Sequence, residues 1–195
     1  MGGSGVIDLE RLYDEKDLFG FISEQLSYPE EVTLYDGVLE EIISPAHPSY
    51  TDLKTFVDGK KGERLQELQT KYTEIFDFQE DATLFMTYVK FEDSKGRGQM
   101  LARLKVLYEM FGLKIPEGEL GDLLPLMCEF IYVSDWRGDT RAQQSFSLLL
   151  AILEDGSYHL MHALKKYDNI YYHLIRGMRE IFKACIVDKE AASND

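Results

Sequence analysis

Cysteine, proline, tryptophan and basic residues are all scarce in this chain. Its 195 residues include two cysteines, five prolines and one tryptophan, and 21 Lys and Arg stand against 35 Asp and Glu. Cys128 and Cys185 are far apart and each lies in an apolar run. They form no C-x-x-C pair, which argues against a zinc ribbon or a dithiol redox motif, and two thiols make no disulfide scaffold. They read as buried, reduced thiols of a cytoplasmic protein. The shortage of cations leaves a net charge of -14. Nucleic acid and anionic lipid both need clustered Lys and Arg, so neither is expected as a partner, whereas a basic partner would be complementary. No apolar run is long enough to span a membrane and no signal peptide is visible, so direct membrane insertion is not expected.

What is abundant is apolar and aromatic. Hydrophobic residues make up 45% of the chain, with 12 Tyr and 11 Phe. Such a composition is that of a folded globule, not of a disordered chain. The apolar residues recur at helical spacing almost throughout, with no convincing alternating strand. The fold class expected is therefore all-α, a single-domain bundle of roughly nine or ten helices over 6–188. The opening MGGSG reads as a flexible leader or expression scar over 1–5, and 189–195 as a frayed tail.

Leu9, Leu12, Phe19, Ile22 and Leu26 mark a first helix ending near Pro29, and Val32, Tyr35, Leu39 and Ile42 mark a second over 30–43, broken by Pro45 and Pro48. A short turn with Tyr50, Leu53, Phe56 and Val57 follows. Leu65, Leu68, Tyr72, Ile75 and Phe76 form the next stripe, and Met100, Leu101, Leu104, Tyr108 and Phe111 another, closed by Gly112 as a C-terminal cap. Asp122 is placed as the N-cap of a helix that carries Pro125 in its first turn. Helices are then expected over about 139–154, 156–167 and 169–186.

The stretch DSKGRGQML, residues 93–101, is the one place that resembles a phosphate cradle. A P-loop needs G-x-x-x-x-G-K-[S/T] after a strand; here Lys95 precedes the glycines, no hydroxyl follows, and the run before it has helical spacing. The dinucleotide fingerprint fails as well. The stretch reads as a helix start, with Ser94 as cap and with Gly96 and Gly98 allowing a tight turn. Gly98 is expected to be structural, at a positive φ or a close backbone passage. His159 and His162 share a helix face, but Glu154, Asp155 and His173 supply no metal-site spacing, so no metal is assigned. Acidic pairs such as Glu30/Glu31 and Glu40/Glu41 read as solvated surface. No catalytic constellation or cofactor motif is visible. Between 72 and 130, Asp77, Arg97, Gln99, Glu119, Asp122 and Glu129 alternate with Tyr72, Phe76, Phe85, Pro125 and Phe130. That mixture suits recognition of a segment both basic and apolar.

Three ordered motifs in this region carry a resemblance. A Y-x-x-x-F-D is met at Tyr72, Phe76 and Asp77. An S-[R/K]-x-R-G-Q opening a helix is met at Ser94, Lys95, Arg97, Gly98 and Gln99. An E-L-x-D-x-x-P is met at Glu119, Leu120, Asp122 and Pro125, followed by Glu129 and Phe130. The chain resembles the NarJ family of nitrate reductase assembly chaperones. Some relatives carry F-E-H before the glycine stretch and D-H in the last motif; this chain has T-Y-V there and Leu123 after Asp122, which looks like the Gram-positive or archaeal branch. The resemblance implies the all-helical fold of TorD-like chaperones. It also implies binding to the apo catalytic subunit of nitrate reductase through its N-terminal segment, a remnant twin-arginine signal, during molybdenum cofactor insertion. A chaperone for a related enzyme acting on dimethyl sulfoxide, selenate or chlorate stays open, as do a helical regulator without a client and a nucleotide-dependent enzyme using 93–101.

Overall fold

The computed structural model describes residues 6–90 and 94–187. The expected leader over 1–5 and the tail expected at 189–195 fall outside these residues, as does the side chain of Ser94 and with it the expected cap. Eight α-helices and one 3-10 turn are found among the described residues. A two-residue antiparallel pairing joins β1 (Val6–Ile7) to β2 (Ile186–Val187). The all-α class and single helical domain expected are met; the departures are this small seam and the helix count, eight among the described residues where nine or ten were expected.

α1 (Leu9–Asp14) starts where the Asp8 carboxylate accepts the Arg11 amide at 2.9 Å. The chain breaks at Glu15 and resumes as α2 (Lys16–Leu26), so the single helix expected over 9–26 is two. The break lets Lys16 donate to the Ser134 carbonyl while Phe19, Ile22 and Leu26 turn fully inward. The helix expected over 30–43 is not there. Its residues form successive turns, with Gly37 at φ +90°, a conformation that would end a helix. Leu34, Val38, Leu39 and Ile43 are buried from these turns, whereas Val32 and Tyr35 face solvent. The short turn expected near 50 is instead α3 (Tyr50–Lys60), which buries Leu53, Phe56 and Val57.

α4 (Leu65–Phe76) begins where Glu67 reaches back to the Arg64 amide at 2.9 Å. After a 3-10 turn over Glu80–Ala82, the chain enters α5 (Ser94–Met110). Gly112 closes α5 at φ +81°, with the Leu113 amide donating back to Tyr108 at 2.9 Å, as expected of a glycine cap. Gly98 corrects its expectation: it lies inside α5, at no positive φ, and a Cβ there would meet open space. The 93–101 glycines therefore belong to a helical turn and wrap no anion-sized loop.

α6 (Leu124–Val133) carries Pro125 in its first turn. α7 (Ala142–Lys166) runs unbroken through the position where two helices were expected, and α8 (Tyr171–Cys185) follows. Gly156 does not stop α7 because its role is close approach: a Cβ there would lie 2.6 Å from the Met86 carbonyl oxygen. α2 packs on α6, and α8 packs on both α3 and α7, so α8 is central. Buried Asp52 on α3 accepts from His173 Nδ1 at 2.9 Å and from Arg176 Nε at 2.6 Å on α8, tying the two helices by charge as well as by packing.

Candidate functional site

Two of the three motifs, the one opening α5 and the one before α6, meet at Asp122, whereas Tyr72, Phe76 and Asp77 of the first lie elsewhere. The segment before α5 pairs with the segment before α6: Met86 N–H donates to Asp122 O at 2.9 Å and Leu124 N–H to Leu84 O at 2.8 Å, around a bridge of Phe85 with Leu123. This brings Thr87 onto the Asp122 carboxylate. The Thr87 amide donates to Asp122 Oδ2 at 3.2 Å, and its hydroxyl donates to the same oxygen. Arg97, in the first turn of α5, donates from Nη2 to Asp122 Oδ2 at 3.2 Å and from Nε to Thr87 Oγ1 at 3.2 Å. Its guanidinium lies over the rings of Phe85 and Tyr88, at 5.8 and 5.7 Å.

Asp122 is 0% exposed. It is not an N-cap: Leu123 holds the cap position of α6 and no side chain caps it. The motif acid is instead the buried partner of the motif arginine, and its other oxygen, Oδ1, has no hydrogen-bond partner. Thr87, the third member of the node, is the residue the sequence did not reveal; only its place in the departing T-Y-V stretch drew notice.

The expected apolar floor divides into separate groups. Tyr72 stands edge-on to Phe76 at 4.8 Å and to Tyr28 at 5.6 Å, and Phe76 meets Tyr171 at 4.8 Å. Tyr72 also donates its hydroxyl to the Leu26 carbonyl at 2.9 Å, and its burial raises its pKa. Phe130 belongs to a second cluster with Tyr108 at 4.6 Å, Phe111 at 6.0 Å and Phe146 at 5.7 Å. Phe85 sits with Arg97, in neither cluster. Asp77, Gln99, Glu119 and Glu129 are all exposed, and Pro125 is buried.

Beside Phe130 an apolar crevice of about 140 Å³ opens to solvent. Leu113, Ile115, Leu126 and Val133 line it, Tyr108 backs it, and one acid, Glu129, and one base, Lys114, stand among the lining residues. Tyr108 is held by a 2.6 Å donation to the Gly121 carbonyl, so the wall of the crevice is fixed to the loop that carries Asp122. The crevice has room for a single apolar side chain.

No cluster of three or more His, Cys, Asp or Glu among the described residues could hold a metal. His162 Nδ1 donates to the Tyr158 carbonyl at 2.8 Å and its ring lies 4.2 Å from that of Tyr158, while His173 is bound to Asp52. Both thiols are buried, and burial raises the pKa of each, that of Cys185 to about 12, so neither is a poised nucleophile. No described helix is long and apolar enough to cross a membrane.

Comparison with known proteins places these features. Over 167 residues the chain is 28% identical to a Bacillus subtilis (strain 168) protein named probable nitrate reductase molybdenum cofactor assembly chaperone NarJ, covering 83% of this chain and 86% of that one. Over 130 residues it is also 28% identical to the nitrate reductase-like protein NarX of Mycobacterium tuberculosis (strain ATCC 25618 / H37Rv), covering 66% of this chain. The chain spans only 20% of the length of NarX. The family model described as nitrate reductase delta subunit matches residues 41–158, more than half of the chain and all three motifs. The chain belongs to the nitrate reductase delta subunit family, as its resemblance to NarJ implied.

Proposed function

We propose that this protein is a cytoplasmic chaperone of the catalytic subunit of respiratory nitrate reductase and has no catalytic activity of its own. It binds the apo subunit through its N-terminal segment, a remnant twin-arginine signal. It holds that subunit open while the molybdenum cofactor is inserted, and lets go once the client has matured. The Bacillus subtilis relative supports the reading by its printed name and by matching over most of both chains.

The observation that carries the reading is the crevice beside Phe130. It is apolar and open, with Glu129 as well as Lys114 at its edge, in a chain of net charge -14, which fits a client segment that presents a large apolar residue next to a basic one. Glu129 supplies negative charge at the crevice, and Glu119 adds to the acidic surface of the loop before α6. Asp122 acts from within by fixing the backbone around the crevice, because its carboxylate is buried and already paired.

The test is a pull-down of the full chain against apo- and holo-reductase. Binding to the apo form and to its isolated N-terminal peptide is expected, with little or none to the holoenzyme. Leu126→Asp, which places a charge in the crevice, is expected to abolish capture while leaving the helical circular-dichroism spectrum intact. Equal capture of apo and holo forms, or capture of neither, refutes the proposal.

A further inference from the structure

The turns over 30–43 that replace the expected helix create a surface of their own. Tyr28, Val32 and Tyr35 are each 51% exposed on the segment between α2 and α3. Next to Tyr28 an open cleft of about 380 Å³ runs down to the helices. Leu34, Leu68 and Tyr171 form its floor. The Tyr28 ring is held edge-on to Tyr72, so this wall is fixed and does not hang free. Glu24, Glu30 and Glu31 line the same cleft and all three are exposed. Glu30 and Glu31 meet no cation among the described residues. The cation that does line the cleft, Lys60, is 4% exposed and is turned onto Tyr171, donating to its hydroxyl at 2.6 Å and lying 4.1 Å from the ring centre.

An aperture with three solvent carboxylates over an aromatic and aliphatic floor is complementary to one chemistry. We propose that this cleft is a docking site for a peptide segment that carries an arginine or lysine beside a large apolar residue. The stem of the basic side chain lies along Tyr28 and Leu68, its head reaches Glu30 and Glu31, and the apolar neighbour covers Tyr28. Long basic side chains bury their methylenes in this way while keeping the charge wet. Anionic ligands are repelled by the rim, and a second copy of a chain of net charge -14 is repelled by the whole molecule. None of the residues that line this cleft lines the crevice beside Phe130, so the two are separate places on the surface.

The probe is a short fluorescein-labelled peptide of alternating leucine and arginine, with leucine–glutamate and serine–arginine peptides as controls. Anisotropy gives the affinity for the full chain, and a photo-reactive version of the probe, read by mass spectrometry, gives the location. Only the leucine–arginine peptide is expected to bind, with crosslinks on the 28–34 segment. The double variant Glu30→Gln/Glu31→Gln is expected to weaken it by about fivefold to tenfold, the scale of losing two partly exposed charge pairs. Tyr28→Ser should weaken it comparably, and Glu119→Gln/Glu129→Gln should change it less than about twofold. These residues are exposed, so an unchanged thermal melt confirms that folding is not the cause. Undiminished affinity in the Glu30/Glu31 variant, or crosslinks confined to the crevice lined by Leu126 and Val133, overturns the proposal. Neither result bears on capture of apo-reductase, which is read separately.

Discussion

Arg97 and Asp122 form an ion pair, Nη2 to Oδ2 at 3.2 Å, in which the acid is wholly buried and the base is 23% exposed. Thr87 bonds to both. The pair ties the first turn of α5 to the loop before α6, and that loop carries one wall of the apolar crevice. Removing one partner of a buried pair leaves an uncompensated charge, at a cost of about 3–5 kcal/mol. Arg97→Met is therefore expected to lower unfolding free energy by about this amount in urea titration at neutral pH. Asp122→Asn should also destabilise, since the residue is no cap that asparagine could replace. A loss below about 0.5 kcal/mol for both would show the pair to be incidental.

Two glycines should respond in opposite directions. Gly98 lies within α5 in open space, so Gly98→Ala is expected to stabilise by about 0.5–1 kcal/mol through helix propensity and reduced freedom of the unfolded chain. Gly156→Ala drives a methyl into the Met86 backbone at 2.6 Å and is expected to destabilise by about 1–3 kcal/mol. Thermal melts of the two variants, run side by side, check both signs.

Lys60 makes the fold sensitive to alkaline pH. Burial holds its ammonium down to about 8 from 10.5, with nearby Glu63 opposing the shift and Lys71 adding to it. Below pH 8 the lysine is charged in both folded and unfolded chains, and its desolvation costs the fold about 3 kcal/mol. Between about 8 and 10.5 the unfolded chain holds the proton and the folded chain has lost it, so stability rises with pH across that window. Tyr72, Tyr108 and Tyr171 act the other way: burial raises each above its ordinary 10, so their stabilising contribution is lost as pH climbs past 10. The thiols of Cys128 and Cys185, also raised by burial, oppose the rise from about pH 9, so a stability maximum near pH 9 is expected in denaturant titrations. Lys60→Met should be more stable than the parent at pH 7 and should lose the rise.

Client binding is expected to depend on ionic strength. One apolar anchor in a crevice this small, less the ordering of the peptide, leaves affinity no tighter than about the micromolar class. Partly exposed pairs with Glu119 and Glu129 supply about 1 kcal/mol each, so affinity should fall as salt rises. Glu129→Lys should weaken binding by about tenfold or more in low-salt calorimetry. A salt-independent affinity would leave Glu119 and Glu129 without a role.

Much of the helical layout could be read from the pattern of residues, because α4, α5 and α8 carry apolar stripes at helical spacing and α6 is apolar almost throughout, behind a proline in its first turn. The failures have physical reasons. Val32, Tyr35, Leu39 and Ile42 repeat at helical spacing, yet consecutive turns bury Leu34, Val38, Leu39 and Ile43 instead, with Gly37 at positive φ between them. Gly156 looks like a helix end but is a point of backbone contact, and only the position of Met86 distinguishes the two. Asp122 sits where caps sit, and the local pattern says nothing of Arg97, 25 residues earlier, folding back onto it. Lys60 and Tyr171 are 111 residues apart, and nothing near either foretells their meeting.

The central position of α8 also bears on the order in which the molecule can close. Synthesis runs from the amino end, so α3 leaves the ribosome long before the helix that neutralises Asp52 and covers Lys60. Until Tyr171, His173 and Arg176 emerge, α3 carries a lysine and an aspartate without their partners, and the apolar faces of α3 and α7 lack their cover. The seam of Val6–Ile7 with Ile186–Val187 must wait longer still. A protein proposed to shelter an unfinished client is thus itself unfinished until nearly its last helix is made, and a nascent chain stalled before residue 171 would be a substrate for the cell's general chaperones.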